Sequence, residues 1–290
     1  MIRKHSSRTK AEMCMLVVAF IWGTTFVVVK NALADIGPFL FVGIRFSLAF
    51  LVLAAVSYRD IIKVRLSTLW AGGLLGIFLF IGYVFQTLGL KYTTSSNAAF
   101  ITGVSVVLVP IMYSLLHKKR PSLITTSTVF IATVGLYLIS VPVGSFTLTY
   151  GDSLVLISAL GFALHIIYVD YYSHKHNAIA ITGIQVLFVG IFCVAIGSLT
   201  EPIPNRISFN AMFAIIVTAV LATALAFLLQ NYLQKYSTPT RFAIVLTTEP
   251  IFAALAGYLW AGEHLSRPGL VGAALILMAM LLSILFKKRS

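Results

Sequence analysis

Long apolar runs alternate with short polar breaks along the whole chain. Ten can be drawn, over residues 12–31, 38–57, 68–90, 95–116, 122–140, 151–171, 178–199, 208–233, 239–261 and 268–286. Each is close to the ~20 apolar residues that a helix needs to cross a bilayer, and the fifth is the shortest. The runs are solidly apolar, whereas a strand of a membrane barrel alternates in character over roughly ten residues. The pattern predicts an all-α integral membrane protein with ten transmembrane helices.

Composition agrees, since a chain of 290 residues that is 59% hydrophobic and 10% charged has too little polar surface for a soluble globule. Cys14 and Cys193 both fall within predicted spans and read as small packing residues, with no disulfide framework. The first run imitates a secretory signal, with Arg3, Lys4, Arg8 and Lys10 before it and Ala32-Leu33-Ala34 after it. Trp22-Gly23-Thr24-Thr25 and Lys30 suit such a signal poorly, so the run is read as a retained first span.

The basic residues orient the spans. With the N-terminus inside, sixteen of the 21 Lys and Arg residues lie on the inner side; Lys30, Lys91, Arg206 and Arg267 lie outside, and Arg45 is within the second span. Positive charge is retained on the cytoplasmic side, so both termini are expected there. The net charge of +13 then faces an anionic lipid leaflet, which makes the bilayer the expected partner and argues against nucleic acid.

The chain also repeats itself. Gln86-Thr-Leu-Gly-Leu-Lys91-Tyr92-Thr93-Thr94 recurs 144 positions later as Gln230-Asn-Tyr-Leu-Gln-Lys235-Tyr236-Ser237-Thr238, and Ala11-Glu12 matches Gly151-Asp152 at a spacing of 140. Five spans separate the copies, so the second must be inserted upside down. The expected organisation is two inverted five-helix repeats, 11–141 and 150–287, with a site at their interface exposed to each side in turn. Glu12 and Asp152 stand at predicted helix starts and read as caps rather than ion-handling groups.

Trp22-Gly23-Thr24-Thr25-Phe26, Arg45-Phe46, Gly151-Asp152, Gln185, Glu249-Pro250 and Gly262-Glu263-His264-Leu265-Ser266, in that order, resemble the EamA type of the drug/metabolite transporter superfamily. The resemblance covers nearly the whole chain. It implies a multi-pass permease of the bacterial inner membrane that often exports amino acids or other small metabolites, with uptake as the alternative direction. Phe162-Ala163 stands where the first half has Trp22-Gly23, so the two halves do not contribute the same residues to a pocket.

Polar groups inside the spans are costly against lipid and should turn inward. Candidate substrate-binding residues are Trp22, Thr25, Tyr83, Gln86, Phe162, His165 and Gln230, with neutral donors and acceptors beside aromatic rings suiting a small amphipathic solute. Asn97 and Thr102 are weaker candidates. Arg45, seven residues or ~10 Å into its span, could snorkel, pair with an acid or grip a substrate carboxylate. Glu249 reads either as a proton-coupling or substrate-amine group, or as a partner for freed backbone or for Arg45; its place in a motif shared across cargoes favours the second. Pro110 and Pro250 are expected hinges. Close helix approach is expected at Gly72-xxx-Gly76 and Ala253-xxx-Gly257-xxx-Ala261.

Other classes lack their signatures. The sequence has no Gly-x-x-x-x-Gly-Lys-Ser/Thr loop for ATP, so a concentration gradient must drive transport. His5, His117, His174, His176 and His264 lie near ends or loops, leaving only His165 well inside a span, which disfavours a haem or quinone enzyme. No metal site or cofactor is expected. A channel remains an alternative, and proton coupling and a monomeric or homodimeric state are left open.

Overall fold

The structure is a computed structural model that describes residues 2–118, 120–140, 149–262 and 267–285. Glu263 to Ser266 of the family motif, Lys119 and the basic Lys287-Lys288-Arg289 lie outside the described residues. Among the described residues thirteen α-helices run in chain order: α1 (Ile2–Ala32), α2 (Pro38–Ile62), α3 (Leu66–Leu90), α4 (Ser95–Gly103), α5 (Ser105–His117), α6 (Leu123–Ser140), α7 (Tyr150–Ser173), α8 (Ala178–Thr200), α9 (Phe209–Val217), α10 (Ala226–Leu233), α11 (Pro239–Leu246), α12 (Glu249–Trp260) and α13 (Arg267–Leu285). A π-helical stretch, Thr218–Leu225, joins α9 to α10, and a 3₁₀ turn, Gln234–Tyr236, follows. The described residues contain no strand.

Nine helical stretches among the described residues are long and apolar enough to cross a membrane. Three of them are composite: α4 with α5, α9 through α10, and α11 with α12. The fifth apolar run forms α6, whose apolar part, Leu123–Leu138, is shorter than the others. Trp70, Phe130, Leu199 and Phe209 are among many large apolar side chains exposed on the outside. Such a belt is costly in water and at ease in lipid.

Local chemistry sets the helix ends. Thr94, Ser208 and Thr238 each accept a hydrogen bond from the amide three residues on, capping α4, α9 and α11. Thr149 and Asp152 form a reciprocal capping box on α7, so Asp152 is a cap. Glu12 is not, because α1 continues for more than two turns before it; its carboxylate instead pairs with Arg241 Nε at 2.7 Å and accepts from Ser237 Oγ at 2.6 Å. The first-turn amides of α2 are capped from a distance, with Phe39 N and Leu40 N each donating to the Glu201 carboxylate at 2.9 Å.

The principal packing pairs are α2 with α8, α3 with α7, α6 with α13 and α1 with α12. One apolar core gathers around Phe46, Leu79, Val186 and Phe227, and another around Met15, Val109, Ala243 and Ile276. Trp22 and Phe100 pack against both. The α3–α7 crossing shows why glycine is needed: a β-carbon on Gly161 would lie 2.7 Å from Gly82 N, and one on Gly151 would lie 2.7 Å from Gly89 O.

The expected small-residue stripes are used less closely. Gly72 and Gly76 meet the side chains of Ile184 and Phe188 rather than backbone. Ala253 and Gly257 are buried, but Ala261 falls beyond the end of α12 and is exposed.

Gly161→Val is expected to lower the melting temperature in detergent by roughly 3–10 °C, because the backbone of α3 cannot yield to the added methyls. Gly73→Ala, where an added β-carbon meets nothing within 4 Å, should leave it unchanged or raise it. Equal losses in both variants would contradict this account of the crossing.

Candidate functional site

Three interruptions of helix geometry converge on one place. The first separates α4 from α5 at Val104, and the second separates α11 from α12 at Thr247 and Thr248. At the second, the Thr247 hydroxyl donates to Ile244 O at 2.5 Å and the Thr248 hydroxyl to Val245 O at 2.8 Å, occupying carbonyls at the end of α11. Glu249 then opens α12, followed by Pro250 in the first turn, where a missing N–H costs no helical hydrogen bond. Gly23 permits α1 to cross here, since a β-carbon on it would lie 2.5 Å from Glu249 O. Trp22 is thereby brought beside the break.

The third interruption is the π-helical stretch, a wide-turn geometry often found at functional sites. Ala222 O accepts from Trp22 Nε1 at 2.8 Å, and Thr223 Oγ1 accepts from Arg45 Nε at 2.7 Å while donating to Thr218 O at 2.9 Å. Three separate stretches of sequence, α1, α2 and the π-helix, are thus fastened by hydrogen bonds to side chains.

Between these elements is a cavity of about 790 Å³, counting the space where it opens to the outside. Trp22, Thr25, Arg45, Tyr83, Gln86, Phe162, His165, Gln230 and Glu249 all line it. Pro110 and Pro250 do not. Pro110 sits inside α5, past the break at Val104, on a separate apolar groove against α6, and Pro250 lies just after the break before α12. Asn97 also lies off the cavity, whereas Thr102 lines it.

The walls are aromatic. Tyr83 stands edge-on to Phe162 at 5.3 Å and to Phe227 at 5.8 Å between ring centroids; Phe227 also meets Trp22 at 5.4 Å and His165 at 5.7 Å. Most polar side chains are already held. Gln86 Nε2 donates to Thr102 Oγ1 at 2.9 Å, Thr25 donates to Trp22 O at 2.8 Å, and the ring Nε2 of His165 is 2.8 Å from Gln185 Oε1. Gln230 Oε1 is buried with no hydrogen-bond partner.

A guanidinium and a carboxyl group complete the lining. Arg45 is 3% exposed, with its guanidinium carbon 4.8 Å from the Tyr83 ring centroid and 5.6 Å from that of Phe46. These cation–π contacts and the bond to Thr223 partly replace the water it has lost. Glu249, 8% exposed, opens on the same cavity. The expected pairing of the two is absent: among the described residues neither makes a salt bridge, and Arg45 is turned to Thr223 and Ala222 O instead. The position of Thr223 on the widened helix turn gives the guanidinium a nearer partner.

Phe227 was not among the sequence candidates, although it lies 144 positions after Tyr83, the same offset as Gln230 from Gln86. The π-helix left no such signal, because Thr218 to Leu225 contains neither Gly nor Pro and reads as ordinary apolar helix.

The model of the EamA-like transporter family matches residues 9–141 and again 149–285. A protein of Archaeoglobus fulgidus named as an uncharacterized transporter is 35% identical over 95% of this chain and 86% of its own length. The uncharacterized transporter YvbV of Bacillus subtilis is 26% identical over 96% of this chain and 93% of its own. A solved crystal structure that shares 15% identity superposes with a TM-score of 0.80 over 97% of this chain and 98% of that one, which extends the likeness of fold beyond recognisable sequence. With its apolar spans and these matches, the chain is a multi-pass membrane transport protein rather than an enzyme, and it belongs to the EamA-like transporter family.

Proposed function

We propose that this chain is a secondary transporter that exports a small amphipathic metabolite bearing ionic groups, of the amino-acid type, from the bacterial cytoplasm across the inner membrane. The observation that carries the reading is a buried guanidinium and a buried carboxyl group, not paired with each other, on one aromatic-walled cavity. Arg45 offers donors to a carboxylate and Glu249 an acceptor to an ammonium, while the rings shelter an apolar body.

Alternating access is proposed as the mechanism, with repeats 11–141 and 150–287 inverted, α6 as the tenth span and both termini cytoplasmic. Matched contacts support it. Thr93 Oγ1 donates to Asp152 at 2.6 Å, and Ser237 Oγ, 144 positions later, donates at 2.6 Å to Glu12, 140 positions before Asp152. Each acid near the start of one repeat therefore ties down the Lys-Tyr turn of the other. The capping threonines Thr94 and Thr238, and the breaks at Val104 and Thr248, stand 144 positions apart as well. If the repeats are inverted, the two contacts act as latches at opposite faces, and the Arg241 ion pair makes the cytoplasmic one the stronger.

Counterflow in reconstituted vesicles, with a panel of amino acids, amines and nucleosides, should find a saturable substrate, and none exchanging under an imposed proton gradient would count heavily against the proposal. Arg45→Gln should slow counterflow of a carboxylate solute by about 30-fold or more, since a buried charge-assisted contact is worth ~2 kcal/mol or more. Glu249→Gln should slow counterflow of a solute bearing an ammonium group by a similar factor, and counterflow of such a solute at the unsubstituted rate would remove Glu249 from the binding site. Glu12→Gln and Asp152→Asn should shift the resting state in opposite directions, read by thiol labelling from each side of the membrane; a shift in the same direction would contradict the two-latch scheme.

A further inference from the structure

The cavity has a polar continuation that the site residues do not explain. Gln230 stands at its edge, 1% exposed; Asn231 and Gln234, on the next positions and next turn of the same span, are 0% exposed. Gln230 Oε1, Asn231 Oδ1 and both side-chain polar atoms of Gln234 are buried with no hydrogen-bond partner. The single side-chain bond in the group is from Asn231 Nδ2 to Phe227 O, at 2.8 Å. A buried amide without a partner has lost its water and gained nothing in return, and four such atoms clustered in one helix end call for a ligand.

The cluster runs in a definite direction. Gln234 lies in the 3₁₀ turn packed against α1 and α7, its carbonyl accepts from Ser237 N at 3.1 Å, and Ser237 Oγ donates in turn to the Glu12 carboxylate held by Arg241. The buried amides thus follow one another along the chain from Gln230 at the cavity edge to the turn whose main chain meets Ser237. The counterpart positions 144 residues earlier lack this feature: Gln86 is satisfied by Thr102, and Leu90 stands where Gln234 does. Repeat symmetry and helix packing do not account for a ladder present in one half only.

We infer that Gln230, Asn231 and Gln234 form a water-holding passage from the cavity to the latch at Glu12 and Ser237, and that the polar groups of the solute travel along these amides on the cytoplasmic side. Amides donate and accept, so they take water and a passing carboxylate or ammonium alike. The first half stands on the buried amides alone; the second rests on the transport reading above.

The test uses the full chain with Cys14→Ser and Cys193→Ser, carrying Gln234→Cys, Asn231→Cys or, as a buried apolar control on α7, Val169→Cys. Reconstituted vesicles are treated with the small water-borne reagent 2-aminoethyl methanethiosulfonate, and modification is followed by mass spectrometry. Positions 234 and 231 should react at least tenfold faster than 169; if both are as slow as 169, the amides are dry and the passage is refuted. In parallel, Gln234→Leu should slow counterflow at least tenfold with an unchanged melting temperature. Reactive cysteines together with undiminished counterflow in Gln234→Leu would leave water there but overturn the solute path. Absence of exchange in the unsubstituted chain would instead sink the transport reading, and the labelling result would still decide whether the passage holds water.

Discussion

A bilayer interior supplies no water, so each buried charge and each freed backbone group must find its partner within the protein. Arg45 is where this constraint is most severe. Its burial is tolerated because the π-helical stretch presents Thr223 and Ala222 O, and because the Tyr83 and Phe46 rings lie against the guanidinium. The same carbonyl of Ala222 takes the Trp22 indole. One irregular turn therefore joins three spans and holds two side chains of the cavity, Trp22 and Arg45.

The helix breaks follow the same rule. Irregular backbone is tolerated at membrane depth where it lines a cavity or is buried in protein, and both interrupted spans place their breaks at the cavity wall. Thr247 and Thr248 satisfy the carbonyls freed in α11, and Pro250 restarts the helix without loss of a bond. Glu249 is left at the opening of α12 with its carboxylate facing the cavity rather than answering Arg45. The cavity thus carries a guanidinium and a carboxyl group that do not answer each other, and the proposed solute, with complementary ionic groups, would meet both.

Packing divides the remaining work. The α3–α7 crossing is rigid because backbone meets backbone at Gly161 and Gly82. The Glu12 and Asp152 contacts, by contrast, are polar links between side chains at the chain's Lys-Tyr turns. The proposed motion places change at such links and stability at the glycine crossings.

Much was legible in sequence because lipid makes a single demand of every span. Apolar length marked nine of the spans and set the fifth run apart as short, and the cost of burying polar groups, with the repeat alignment for Phe162, picked out nine of the side chains that line one cavity. The hinges and the Arg45–Glu249 pair were less legible. The break at Thr247 and Thr248 rests on hydroxyl bonds to carbonyls three residues back, which an unbroken helix also permits, and on a close approach at Gly23, which is a tertiary circumstance; Pro110 sits within a continuing helix. The π-helix carried no compositional mark. Sequence by itself determined what must be buried, since hydrophobicity is a property of each residue; only the tertiary structure decided which buried groups meet, since a hydrogen bond of under 3 Å depends on where several helices are placed at once.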